Sequence, residues 1–293
     1  MKSRITNKNK QSLPQQYEQE SEVFAMWLLF EEKPKRPDAE VLHKALVDKF
    51  GDTEIISSGN ELSSFGIKKY TVSSEDGRIP AQIIMGNVTS FEQNFISEKE
   101  RTQLRDVENP EEFLRRCHYK MVISDMMSGL DFKSRTSLLM DWLETVVALM
   151  PKCIGVWIPT GGKLISADFI RNKQIDDEDR FVCYCVNARF FNVVAGKEML
   201  VDTHGMCALG KPDVQCHFHT LSPDNIVNYL YNIASFICQS DEKIKDNDTI
   251  DGFDGDEISE EVRWVCRYED SMAQPMRPVI DINPGKYSAG NRE

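Results

Sequence analysis

Three of the five histidines in this 293-residue chain, His204, His217 and His219, fall within residues 200–238. If 213–219 is a strand, His217 and His219 share a face, because side chains two residues apart on a strand point the same way. Imidazoles so placed can ligate zinc or a related divalent ion, or move a proton near neutral pH. Asp202 or His204, on the preceding β run, would complete the set once the turn at Gly210, Lys211 and Pro212 folds the two runs into a pair. His217, His219, His204 and Asp202 are therefore the candidate metal ligands. The structural alternative makes the two same-face histidines half-exposed strand residues. The sequence names no general base and no partner to orient a ligand histidine, so no catalytic residue is assigned.

Other chemistry-bearing stretches resolve toward structure. Asp125 closes a strand, where α/β proteins often place reactive groups, but an acid there more often caps the turn that follows. The run Thr160-Gly161-Gly162-Lys163 is no phosphate loop, since Trp157 stands where the first glycine would be required. Residues 241–261 hold ten carboxylates and two lysines. Their spacing fails the EF-hand pattern, with Ile250 at a ligand position counted from Asp246, and a mobile acidic loop is expected. The eight cysteines include no C-x-x-C pair and read as buried, reduced thiols. No nucleophile elbow, zincin helix, dinucleotide fingerprint or kinase set occurs.

The elements that must position these residues can be read from periodicity. Residues 23–30 form a continuous apolar run of strand length, followed by a helix over 37–50. Three β runs, 53–57, 65–73 and 79–85, follow, with a hairpin at Asp76-Gly77. A charged segment, broken at Asn109-Pro110, leads to a strand over 119–125 and a helix over 131–150 with a broad apolar stripe. A hairpin at 153–166 and a short helix come next, then a long alternating strand over 181–194. The 200–219 β runs, a helix over 223–239, the acidic loop and a last strand over 262–268 complete the series. The fold class is α+β: a mixed, mainly antiparallel sheet with helices packed on it, in two closely associated lobes. The divisions expected are a disordered tail over 1–20, an N-terminal lobe over 21–198, a C-terminal domain over 199–275 and a tail over 276–293.

Composition limits the partners. A net charge of −12 and a pI near 5.0 argue against nucleic acid, whose phosphates need clustered cations. No apolar run is long enough to cross a membrane and no secretory signal opens the chain, so a cytoplasmic location is expected. Several runs taken together, among them AMWLLFEEKP, DFKSRTSLLMDWLE, MLVDTHGMCALGKPDVQCHFH, WVCRYEDS and INPGKYSAGNRE, resemble the bacterial family carrying the domain of unknown function numbered four-two-six-one. That resemblance implies a cytoplasmic bacterial α+β protein and brings no assigned activity, cofactor or catalytic residue. Two functions are expected to compete. One is a non-catalytic binding or regulatory protein, inhibitor-like or immunity-like, whose acidic surface meets a protein partner. The other is a metal-dependent enzyme or metal-binding protein centred on His217 and His219; only that reading calls for a cofactor, a divalent metal. The sequence carries no signal of oligomeric state.

Overall fold

Apolar runs of strand length build an antiparallel sheet in the first half of the chain, some joined by tight turns and others by segments that carry helices. The computed structural model describes residues 23–74, 77–126, 129–172, 175–193, 197–255 and 257–290. The tail expected over 1–20 and the turn residue Asp76 lie outside them. The described chain divides into two compact units, Ser21–Cys185 and Val186–Glu293. The sequence reading had set the boundary at 198/199.

In the first unit the elements are β1 (Ala25–Phe30), α1 (Ala39–Phe50), β2 (Thr53–Ser58), β3 (Leu62–Ser74), β4 (Gly77–Ser90), α2 (Glu98–Arg101), α3 (Pro110–Arg116), β5 (Tyr119–Asp125), α4 (Phe132–Leu149), β6 (Cys153–Ile158), β7 (Lys163–Ser166), α5 (Ala167–Asn172) and α6 (Arg180–Cys185). The seven strands run in the order β2-β3-β4-β5-β1-β6-β7, each antiparallel to its neighbour. The run read as a central strand is one: β1 lies between β5 and β6, and its residues alternate between two covered faces. Leu29 packs with Phe91, Ile96, Leu104 and Leu114, side chains of the segment that carries α2 and α3. Helices α1 and α4 pack on each other and on β2, β3 and β5. The hairpin expected at Asp76-Gly77 is present, with Ser74 opposite Gly77. At the end of β5, Asp125 turns inward to α4. Both its oxygens accept from Arg135 of α4, Oδ2 from Nε at 2.7 Å and Oδ1 from Nη2 at 2.9 Å, and the pair is fully buried.

The second unit contains β8 (Asn187–Asn192), β9 (Met199–His204), β10 (Asp213–Phe218), α7 (Pro223–Gln239), β11 (Thr249–Asp254), β12 (Glu257–Asp270) and β13 (Pro278–Asn283). Its six strands are ordered β11-β12-β13-β10-β9-β8, and β10 with β13 is the parallel pair. The apolar side of α7, with Ile226, Leu230 and Ile233 among its buried residues, packs on β8, β9 and β10. Tyr229, Phe253 and Trp264 form an aromatic cluster with ring centroids 5.3–5.5 Å apart. Its closeness requires Gly252, where a Cβ would fall 2.4 Å from Trp264 Nε1. Two tyrosines of the same helix reach opposite edges of the sheet. The Tyr229 hydroxyl donates to the Asp251 carbonyl of β11, while the Tyr231 hydroxyl donates to the Val186 carbonyl at 3.3 Å and accepts from the Ala188 N–H of β8 at 3.1 Å.

The α+β class is as expected, but the strands form two sheets where the sequence suggested one. Three local readings change. The alternating run 181–194 divides into α6 and β8, because the acidic run at 176–179 starts a helical turn there, with the Cys183 N–H bonded to the Asp179 carbonyl. The stretch 241–261 is no loose loop: it holds β11 and the start of β12. Residues 276–293, read as a tail, hold β13, a buried strand between β12 and β10 that begins at Pro278, a position where a strand tolerates proline.

Candidate functional site

Cross-strand register places Arg189 of β8, Asp202 of β9, Gln215 and Asp213 of β10 and Asp281 of β13 on one face of the second sheet: Arg189 faces Asp202, Asp202 faces Gln215, and Gln215 faces Asp281. All are buried. Carboxylates buried among apolar strand neighbours need cations or multiple donors. Arg189 supplies Nε to Asp202 Oδ1 at 2.9 Å and Nη2 to Oδ2 at 2.5 Å. From the loop before β13, Arg277 gives Nη2 to Asp202 Oδ2 at 2.8 Å and Nε to Asp213 Oδ2 at 2.7 Å. Burial alone would lower the Arg277 pKa, but Asp213 and Asp202 outweigh it and hold the guanidinium more firmly charged than usual.

The same groups clamp the loop 271–277 over the face. Arg189 Nη1 donates to the Gln274 carbonyl at 2.7 Å, Arg277 Nη1 to the Pro275 carbonyl at 3.0 Å, and Gln215 Oε1 accepts from the Met272 N–H at 3.0 Å while its Nε2 donates to Asp281 Oδ1 at 3.0 Å. Asp202 and Asp213 are matched by two guanidiniums, Asp281 accepts from the Gln215 amide, and the network fixes a loop. None of its contacts presents an open coordination position or an acid–base pair.

The four residues read as metal ligands do not converge. Both Asp202 oxygens are taken by Arg189 and Arg277. His217 stands opposite Leu200 on β9, and His204 lies four residues further along that strand, roughly 13 Å away at the usual rise. His204, partly exposed, pairs in register with Asn187. His219 lies past the end of β10, with its Nδ1 3.1 Å from Thr220 Oγ1. Among the described residues, no group of three or more His, Cys, Asp or Glu is placed to hold a metal ion. The alternation that put Val214, Cys216 and Phe218 against the core holds, but the opposite face is also covered, so His217 is buried, with Nε2 3.1 Å from Glu198 Oε2. Burial pushes the Cys153 and Cys266 thiols up to about 12, so neither is a nucleophile at neutral pH.

The sequence reading missed Arg189, Gln215, Arg277 and Asp281. A usable signal existed: Asp202 and Asp281 each interrupt an otherwise apolar strand, and an acid in that setting demands a buried partner.

The acidic stretch sorts into two groups. Asp248 and Asp251 are buried: Asp248 Oδ2 accepts from the Lys245 N–H at 2.7 Å, and Asp251 pairs with Arg263. Asp254, Glu257, Glu260 and Glu261 project into solvent along the β11–β12 hairpin at the edge of the sheet.

Fold and site together define an α+β protein whose second unit carries a charge-locked sheet face closed by a loop. Over residues 202–283 the chain matches the family described as Domain of unknown function (DUF4261), which bears out the resemblance read from the sequence. The match runs from Asp202 to the end of β13, so it contains every member of the network except Arg189. No curated protein and no solved structure matches the chain. Among the described residues, no helix is long and apolar enough to cross a membrane.

Proposed function

We propose that the protein is a non-catalytic binding or regulatory protein of the bacterial cytoplasm, acting in the manner of an inhibitor or immunity partner on a basic protein. The observation that carries this reading is the division of labour in the β11–β12 hairpin. Buried Asp248 and Asp251 hold the local fold, whereas Asp254, Glu257, Glu260 and Glu261 contribute nothing visible to it and stand on an ordered edge. Acids fixed on a rigid element steer and orient a cationic partner without ordering a loop on binding. Eight free cysteines agree with a reducing compartment.

The test is affinity purification from the native host at low salt. The wild-type chain is compared with a variant carrying Asp254→Asn, Glu257→Gln, Glu260→Gln and Glu261→Gln, which leaves the buried pair intact. A basic protein retained by the wild type, released by salt and lost from the variant is the expected outcome. Recovery of the same partners by both chains, or of none by either, removes the reading.

A further inference from the structure

After β13 the chain passes through Pro284 and a 3-10 turn, Gly285–Tyr287, and comes back antiparallel along the end of β10. Two backbone hydrogen bonds hold it there: His219 N–H to the Tyr287 carbonyl at 2.9 Å and Ala289 N–H to the His217 carbonyl at 3.2 Å. Gly290 follows with a φ of 69°, and a Cβ on it would lie 3.2 Å from Cε1 and 3.3 Å from Nδ1 of His217. The returning segment therefore lies across one side of a buried imidazole. Nε2 of that ring is 3.1 Å from Glu198 Oε2, and the Glu198 side chain is 30% exposed.

We propose that residues 284–290 are a strap that opens as a local unit and uncovers the His217–Glu198 pair. With Glu198 against Nε2, opening presents Nδ1, the nitrogen facing Gly290 in the closed form. An imidazole beside a carboxylate can pass a proton to or from solvent only where solvent reaches it, and the strap sets that access. The case for local opening is the contrast in anchorage. The strap is held by two backbone hydrogen bonds and by the buried side chains of Pro284 and Ala289, with Gly285, Lys286 and Gly290 exposed, whereas β13, immediately before it, is paired along both sides and almost wholly buried. Segments with few buried contacts open well below the free energy of global unfolding.

The experiment is hydrogen exchange together with diethylpyrocarbonate labelling of the intact chain, both read by mass spectrometry. The Ala289 and His219 amides should exchange at least about tenfold faster than those of Ile280 and Ile282, and their exchange should be nearly insensitive to low urea. His217 should be labelled while the β13 amides stay protected, more slowly than exposed His118. Gly290→Val places a β-branched residue at positive φ against the ring. It should raise His217 labelling several-fold relative to His118 and leave β13 protection unchanged. If that variant does not fold, the wild-type urea dependence decides. The proposal is overturned if Ala289 and His219 exchange at the same rate and with the same urea dependence as Ile280, or if His217 is labelled only where β13 loses protection.

Discussion

The Asp202 carboxylate is shared by two guanidiniums, Arg189 and Arg277, and Arg277 bridges on to Asp213. Removing the central charge takes from Arg189 the carboxylate it is paired with and leaves Arg277 with Asp213. Asp202→Asn, which preserves shape, is therefore expected to cost about 3–5 kcal/mol, read from the urea midpoint of the second unit. A loss under about 1 kcal/mol would mean that water or neighbouring groups relieve the arginines and that the network is no lock. The same arrangement argues against Asp202 as a metal ligand, because an ion there would have to displace two arginines. Added zinc or manganese should leave the thermal midpoint where it was, and a rise under either ion would restore the metal reading.

At the scale of elements, α7 does more than cover a sheet face. Edge strands present unpaired backbone groups that invite association, and Tyr231 occupies one such group on β8, the Ala188 N–H, and the Val186 carbonyl just before it. Tyr231→Phe should lower stability by about 1–2 kcal/mol for the lost hydrogen bonds and increase self-association in light scattering. A variant that stays monomeric at unchanged stability would show that the edge is protected by something else. The apolar stripe of α7 was legible because helical spacing is redundant over seventeen residues; so were α4 and the β3–β4 hairpin. α6 was not, because six residues are too few for periodicity to separate helix from strand, and FVCYC alternates plausibly for either. β13 was missed for a related reason: its apolar run is six residues long and broken by Asp281, whose partner Gln215 comes from 66 positions away. Asp202, His204 and His217 could be placed on their strands in advance, while His219, read as the strand's last residue, lies just past its end. Whether the residues meet depends on cross-strand register, which no local pattern encodes.

For the whole molecule, burial has a consequence that grows with pH. Burial pushes Cys117 and Cys153 of the first unit and Cys266 of the second from the ordinary 9.0 up to about 12, and Tyr184 from 10.0 up to about 12. Raised values mean that the native state keeps protons that the unfolded chain releases. Stability from these groups is thus complete below about pH 9 and is lost as pH rises toward 12, with Cys153 and Cys266 each contributing a slope of up to about 1.4 kcal/mol per pH unit. Calorimetry across that range should show a falling midpoint; a flat profile would mean that the thiols ionise in place. The two tyrosines of α7 carry a further consequence, for curvature. Five inter-strand steps separate β8 from β11, an arc of about 24 Å if the sheet lay flat. Phenol oxygens borne by residues two apart on a helix reach at most roughly 18 Å from one another. With a hydrogen bond of about 3 Å added at each end, the pair spans the flat arc only if both side chains are fully extended in opposite directions, so tethering both edges to one helix favours a sheet that wraps around it. Tyr229 packs against Trp264 of the face that also carries Cys266, Ile282 and Cys216, so the charged face lies on the side away from the helix, the outer side of such a bend.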